Sequence, residues 1–297
     1  MVWNGIPIRN GSFVSHRPPA RLLALEYLTF NGLPPDEFVR LAASAGYTAV
    51  GLRVHPADPA DVPHDLGPGT PARRRTRQAL DLYGLQVLDV EVFPIGATTS
   101  LSQVRVVLEA ATFFGASYLN VTGNDPDSAR FEQTLHMVAQ AASEVGVMPL
   151  VEPMGWKCLN SVEEAVRLAS SVPNLGVQVD SLHFARLGAT VDTIASIPHG
   201  RAPYIQLSDA PMAPPSQDPS DWQQEGRTDR MLPGHGELPL RAMLAALSPG
   251  CPVAVETPSA AARRLMSDEE WVRRTFDSTC DLLKSSSGDG VTEPGCP

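Results

Sequence analysis

Twelve residues, VQVDSLHFARLG (177–188), bring together a carboxylate, an imidazole and a guanidinium: Asp180, His183 and Arg186. An apolar run leads into Asp180, and a strand that only filled a core would not finish on a charge. The same ending recurs in Glu152 of LVEPMGW, Gln206 of YIQLSD and Glu256 of VAVET. Side chains alternate along a strand, so Glu152 points away from Val151 and Pro153, and Glu256 away from Val255 and Thr257. Three carboxylates and one amide aimed into one space repel unless protonated or neutralised. A divalent cation neutralises them. Oxygen-rich ligation suits Mn2+ or Mg2+, with Co2+ and Zn2+ as further options. One divalent ion is therefore the expected cofactor.

Such a convergence needs a scaffold that delivers successive strand ends to one place. Strand-like and helix-like stretches alternate along the chain. Strands are predicted at 22–30, 47–54, 85–95, 117–123, 148–154, 175–180, 203–209 and 252–257. Helices are predicted at 34–46, 71–84, 100–116, 126–145, 161–171, near 190–196, at 238–247 and at 267–284. Pro at the start of 34–46, acids in its first turn and Gly at its end are helix signals. SVEE at 161–164 reads as a capping box between Ser161 and Glu164. Eight alternations with short connections predict a single-domain α/β fold, a (β/α)8 TIM barrel over residues 21–284. An open doubly wound sheet would carry a Gly-rich phosphate turn after its first strand, and none is present. Residues 1–20 read as an irregular extension and 285–297 as a disordered tail. In a barrel, catalytic groups stand where strands end, which is where these four residues fall.

Bulk properties exclude several classes of function. The 297 residues carry a formal charge of −10 and no long basic run, which argues against a nucleic-acid partner. Apolar residues make up 43%, enough for a large core, but no stretch is long enough for a membrane span. The N-terminus lacks the continuous apolar segment of a secretory signal. Cys158, Cys251, Cys280 and Cys296 are scattered, and are expected to be free thiols in a reducing cytoplasm. The expected partner is a small-molecule substrate, with a homo-oligomer left open. RRRTR (73–77) reads as a solvated helix face. The stretch 210–237, rich in Pro, Asp and Gln, reads as a long loop, either a lid or part of a dimer contact.

VEPMGW, VDSLHFARLG, YIQLSDAP, DRMLPGHGELPL and VAVE together resemble the xylose-isomerase-like TIM-barrel superfamily of sugar-phosphate isomerases and epimerases. The resemblance spans roughly residues 22–284 and implies one divalent metal on Glu152, Asp180, Gln206 and Glu256. Many members have His in a His-x-x-Asp motif where this chain has Gln206. Gln there is closer to hydroxypyruvate isomerases and bacterial 3-dehydroshikimate dehydratases than to ketose 3-epimerases. The motif Pro-Gly-Glu/Gln-Gly reads PGHG here, with His235 in the variable slot. The superfamily also includes apurinic endonuclease IV, which builds three zinc sites from many histidines. This chain has only seven histidines and an acidic charge.

The resemblance implies metal-assisted proton transfer next to a carbonyl, through a metal-stabilised enediolate, giving isomerisation or epimerisation. Glu152 and Glu256 are then the acid/base pair. A lyase that dehydrates a cyclic hydroxy-keto acid is the second reading. There His183 would carry the proton, because imidazole titrates near neutrality. A catalytically silent barrel acting as a binding subunit is the third, and the intact set of four ligands argues against it. Arg53, His55, Glu91, Trp156 and Arg230 are candidate substrate contacts, with Arg230 suited to an anion. Lys157, beside Trp156, is expected to be solvated.

Overall fold

The computed structural model describes residues 21–56 and 64–284. The expected extension 1–20 and tail 285–297 lie outside the described residues. Among these residues, nine parallel strands form a nearly closed barrel: β1 Leu23–Leu25, β2 Ala49–Arg53, β3 Gln86–Ile95, β4 Tyr118–Gly123, β5 Met148–Glu152, β6 Gly176–Val177, β7 Val179–Asp180, β8 Ile205–Leu207 and β9 Val253–Val255. Neighbours pair in the order β6-β5-β4-β3-β2-β1-β9-β8-β7. The predicted sixth strand is split into β6 and β7 at Gln178, so the eight-unit alternation holds. The predicted first strand stops early, because a 3₁₀ turn occupies Tyr27–Phe30.

Among the described residues, eleven helices surround or cap the barrel: α1 Pro35–Ala45, α2 Pro71–Tyr83, α3 Leu101–Phe114, α4 Ser128–Ser143, α5 Val162–Ser171, α6 Ser181–Arg186, α7 Val191–Ala195, α8 Pro219–Thr228, α9 Leu240–Ala246, α10 Ala260–Leu265 and α11 Asp268–Lys284. Local chemistry sets their ends. Pro35 and the acids Asp36 and Glu37 open α1, and Gly46 closes it at φ 107°. Phe38, Leu41 and Ala42, spaced three and four apart, bury the face of α1 that meets the barrel. The main core lies between strands and helices. A smaller layer inside the barrel contains Ala24, Ala49, Leu88, Leu150, Tyr204 and Ala254. That layer plugs the floor, so the polar strand ends stand above packed side chains rather than over a pore.

Several local expectations are corrected. The stretch 210–237 is not all loop, since it contains α8. RRRTR is a solvated face only in part: Arg74 and Arg75 are exposed, but Arg73 is buried, ion-paired with Glu109, and set over the Phe113 ring at 3.7 Å. Its long apolar stem and planar head let it bury where periodicity alone reads charge. Ser161 caps α5 by accepting from the Glu164 N–H, but the return bond is not made. The Glu164 carboxylate instead pairs with Arg167. Cys158 and Cys251 are free, whereas Cys280 is disulfide-bonded, which overturns the expectation of four free thiols. Spacing in the sequence carries no information on which cysteines meet in space. No helix among the described residues is long and apolar enough to cross a membrane.

Candidate active site

The four strand-end residues stand on one continuous half of the barrel. Glu152 closes β5, and Asp180 closes β7 in register with Gln206 of β8. Glu256 follows β9, where its N–H donates to the Leu207 carbonyl at 3.0 Å. All four are buried. His183 lies one turn into α6, and its backbone N–H and that of Leu182 donate to Asp180 Oδ1 at 3.0 and 2.8 Å. Asp180 is thus the N-cap of α6, which fixes its carboxylate and starts the helix that carries His183.

One ligand atom from each of Glu152, Asp180 and His183 lies within 4.8 Å of the others. Glu152 Oε2 accepts from Asn120 Nδ2 at 3.0 Å, and its Oε1 is 3.8 Å from His183 Nε2. Arg230 bridges the other carboxylates, with Nη1 2.6 Å from Asp180 Oδ2 and Nη2 2.8 Å from Glu256 Oε2. Both amide atoms of Gln206 are buried with no hydrogen-bond partner. Such a group costs free energy unless something binds it. Gln206 is in register with Asp180, and its carbonyl oxygen together with the clustered Glu152, Asp180 and His183 donors would suit a hard or borderline divalent ion. Sequence reasoning placed His183 next to the metal ligands, and the geometry adds its Nε2 to the possible donors.

The electrostatics follow from burial. Desolvation pushes the Glu152 carboxyl well above the usual carboxylate range, and Asp180 and Glu256 push the same way. Burial likewise raises Glu256, to about 8, against the pull of Arg230. Burial would raise Asp180 too, but Arg230 and His183 together hold it below its ordinary value. Burial lowers His183 to about 4, opposed only in part by Asp180. Its imidazole is therefore neutral at physiological pH. That corrects the expectation of a group titrating near neutrality, because the sequence could not show how completely the ring is enclosed.

The cavity above these residues has a volume of about 60 Å³. Arg53, Glu91, Trp156 and Arg230 line it, and Arg53 pairs with Glu91 at 3.3 Å. His55 does not line it. That ring donates from Nδ1 to Pro56 O, 2.8 Å away, and packs edge-on to Phe93. Phe93 belongs to the main core, and the β3–β4 register shifts between Val90 and Phe93. His235 is exposed, on a loop held by Asp209, which accepts from the Gly234 and Leu238 N–H groups. Lys157 lines the cavity, against the expectation that it is merely solvated.

Sequence reasoning missed the roof. Helix α8 presents Gln223, Gly226 and Arg227 to the cavity. A Cβ at Gly226 would lie 3.2 Å from Trp156 and 3.3 Å from the His183 ring, tighter than ordinary contact, so a side chain there would press on both rings. Trp156 in turn stands edge-on to His183 at 5.1 Å. Arg186 anchors the helix by a buried two-point ion pair with Glu225, at 2.7 and 2.6 Å. The Asp218 N-cap and Pro219 were a helix signal, hidden by the polar composition around them.

A second buried acidic layer, also missed, lies beneath. Glu26 and Asp89 converge over Gly51, whose absent side chain leaves them room. Tyr204 Oη donates to Asp89 Oδ2. Burial raises Asp89 to about 7, Glu91 adds to the rise, and Tyr204 opposes it.

This architecture has relatives. The family model described as "Xylose isomerase-like TIM barrel" matches residues 39–281. A search of curated proteins finds no match. Among solved structures, a xylose isomerase-like TIM barrel/4-hydroxyphenylpyruvate dioxygenase fusion protein aligns with TM-score 0.74 and 20% identity, over 90% of this chain and 43% of that one. This chain therefore spans less than half of that fusion protein. The IolI protein with a binding zinc atom aligns with TM-score 0.70 and 17% identity, over 90% and 99%. The probable 3-DHS dehydratase AsbF from Bacillus anthracis aligns with TM-score 0.67 and 11% identity, over 86% and 98%. These likenesses carry the fold, and the family match covers most of the chain. The chain belongs to the xylose isomerase-like TIM-barrel family.

Proposed function

We propose that the protein is a divalent-metal-dependent isomerase or epimerase of a small hydroxy-ketone or sugar-like substrate. The observation that carries this reading is the cluster of Glu152, Asp180 and His183 donors within 4.8 Å of one another, with the buried, unpartnered Gln206 amide on the strand paired in register with Asp180. Glu152, Asp180, Gln206 and Glu256 would hold the ion. When bound, it would polarise a substrate carbonyl and acidify the neighbouring C–H.

The chain's own residues would do the rest. Glu152 or Glu256 would take the proton and return it, to another carbon for isomerisation or to the other face for epimerisation. Asn120 holds one Glu152 oxygen, which leaves Oε1 directed towards His183. Neutral His183 would accept a hydrogen bond or a proton from a substrate hydroxyl. Arg230 would stabilise negative charge developing on a substrate oxygen. Trp156 and α8 would keep water from the reactive carbon.

A lyase reading has its own support. Loss of a β-hydroxyl from the same carbanion is dehydration, and the basic lining of the cavity suits a keto acid. AsbF, described as a probable dehydratase, shares the fold.

The test combines metal content with proton exchange. Wild type and Glu256→Ala are purified without chelators, checked for folding, and measured by mass spectrometry. Hydroxy-ketones are then followed for C–H exchange in deuterated water. The expected result is about one divalent ion per chain and metal-dependent exchange in wild type, both lost in the variant. A metal-free wild type, after dialysis against Mn2+, Mg2+, Co2+ and Zn2+, would overturn the reading.

A further inference from the structure

We infer that the barrel interior binds a second, monovalent cation, sodium or potassium, beneath the strand-end residues, on Glu26, Asp89 and Gln178. The site is separate from the four residues assigned to the divalent ion and goes beyond the reaction proposed above.

Uncompensated charge is the first argument. Glu26 and Asp89 are wholly inaccessible to solvent. Glu26 Oε2 and Asp89 Oδ1 each lie within 2.5 Å of the point where a Cβ on Gly51 would stand, so the two carboxyl groups close on one place. Among the described residues, both oxygens of Glu26 and Oδ1 of Asp89 are buried with no hydrogen-bond partner, and Tyr204 takes the other oxygen of Asp89. Two adjacent carboxylates in such a place must be protonated or neutralised. The guanidinium groups nearby are engaged higher up, Arg53 with Glu91 and Arg230 with Asp180 and Glu256.

Gln178 supplies the second, independent argument. It stands where β6 gives way to β7. Val177 and Val179 on either side pack in the main core, so alternation points Gln178 into the barrel. Val179 pairs with Ile205, which sets Gln178 beside Tyr204, the residue whose hydroxyl crosses to Asp89. Gln178 is wholly buried, and neither atom of its amide has a hydrogen-bond partner among the described residues. Burying an amide in that state costs free energy unless something binds it. Its carbonyl oxygen adds a neutral donor to the two carboxyl groups.

The donors select the kind of ion. All are oxygens, which suits a hard cation. Among the described residues, three acidic or imidazole donors converge at Glu152, Asp180 and His183 and not here. Ca2+ takes about six to eight oxygens, more than this set offers, and Mg2+ keeps several waters that so enclosed a place does not supply. A monovalent ion needs fewer donors and cancels one of the two charges, while Tyr204 donates to the carboxylate that carries the other. Water alone would satisfy the Gln178 amide but would leave the carboxylates unneutralised.

The test uses the full chain loaded with Mn2+, at pH 8, above the value of about 7 to which burial raises Asp89. The melting temperature is followed as tetramethylammonium chloride is exchanged for NaCl or KCl at constant ionic strength. The expected result is a saturable rise with one or both of the small ions, about 5 °C at a hundred times the dissociation constant. Glu26→Gln and Asp89→Asn keep the size and remove a charge. Each should fold without the small ion, lose the rise, and still hold about one Mn2+ per chain. Gln178→Met should move the midpoint of the titration to at least tenfold higher salt. Equal melting in all three salts would overturn the inference and leave a shared proton as what holds the pair. A rise that survives in both carboxyl variants, or one that only Ca2+ or Mg2+ produces, would overturn it too. The titration is repeated on the chain without Mn2+, so failure of the divalent site would count against the metal-dependent reading alone.

Discussion

Arg230 ties Asp180 to Glu256, standing 2.6 Å from one carboxylate and 2.8 Å from the other, with all three side chains nearly inaccessible to solvent. Burial works against its charge, but Asp180 and Glu256 more than offset that and keep it protonated. The guanidinium is the counter-ion that lets the acidic strand ends stay together when no metal is bound. A divalent ion would share the same carboxylates with it.

That relationship predicts the behaviour of Arg230→Met. Removing one partner of a buried ion pair typically costs about 3–5 kcal/mol, because the remaining charge is stranded. The metal-free variant should unfold at correspondingly lower denaturant. A divalent ion should recover more stability in the variant than in wild type, since it takes over the neutralising role. Chemical denaturation with and without Mn2+ measures both. Equal metal-free stability of variant and wild type would show that Arg230 is not the counter-ion.

The barrel and its four strand-end residues were legible because each leaves a local trace. An apolar run that stops at Glu152, Asp180, Gln206 or Glu256 announces a strand end at a polar mouth. The start signal of α8, Asp218 followed by Pro219, was hidden because no apolar periodicity followed it. Its residues are polar all round, and it is held by single long-range events: the Arg186–Glu225 pair, Trp222 on Gly155, Gly226 under Trp156. The Glu26–Asp89 contact was hidden for a related reason. It exists because Gly51, on a strand between them, has no side chain, and an absence on one strand gives no sign of what fills it. The neutral state of His183 depends on burial by α8 and Trp156, so it could not be read before those elements were placed.

Asp89 predicts a pH dependence of the metal-free protein. Its carboxyl is raised from 3.8 to about 7, chiefly by burial. The folded state therefore binds more protons than the unfolded state between those values. Stability is then full below about 4 and falls as pH rises through 7. The size is on the order of a few kcal/mol, since one pKa unit is about 1.4 kcal/mol. Asp89→Asn should flatten that slope. Denaturation midpoints from pH 5 to 8 check it, and a variant with the wild-type slope would sink the assignment.

The roof gives a local prediction. Glu225→Ala strands the buried Arg186 charge and should cost about 3–5 kcal/mol, concentrated at α8 rather than across the barrel. Backbone amides of 219–228 should exchange hydrogen faster, while those of β4 and β5 keep wild-type protection. Uniformly faster exchange would mean that the pair supports the whole fold and not the roof alone.

Gln206 separates a metal ligand from a structural residue. In the metal-free protein its amide is buried with neither atom bonded, a state that costs about 1–3 kcal/mol for an unsatisfied polar group. Gln206→Met keeps the volume and removes the amide. The metal-free variant should therefore be as stable as wild type or more so, by up to that amount. Its response to metal should move the other way. A wild-type protein at a hundred times the dissociation constant gains about 2.7 kcal/mol, and the variant should gain clearly less at the same ion concentration. A residue kept for packing would give the opposite pair of results: lower stability without metal, and an unchanged gain with it. Thermal unfolding of both proteins across a Mn2+ titration distinguishes these cases, because the two effects have opposite signs and cannot both follow from a general loss of folding.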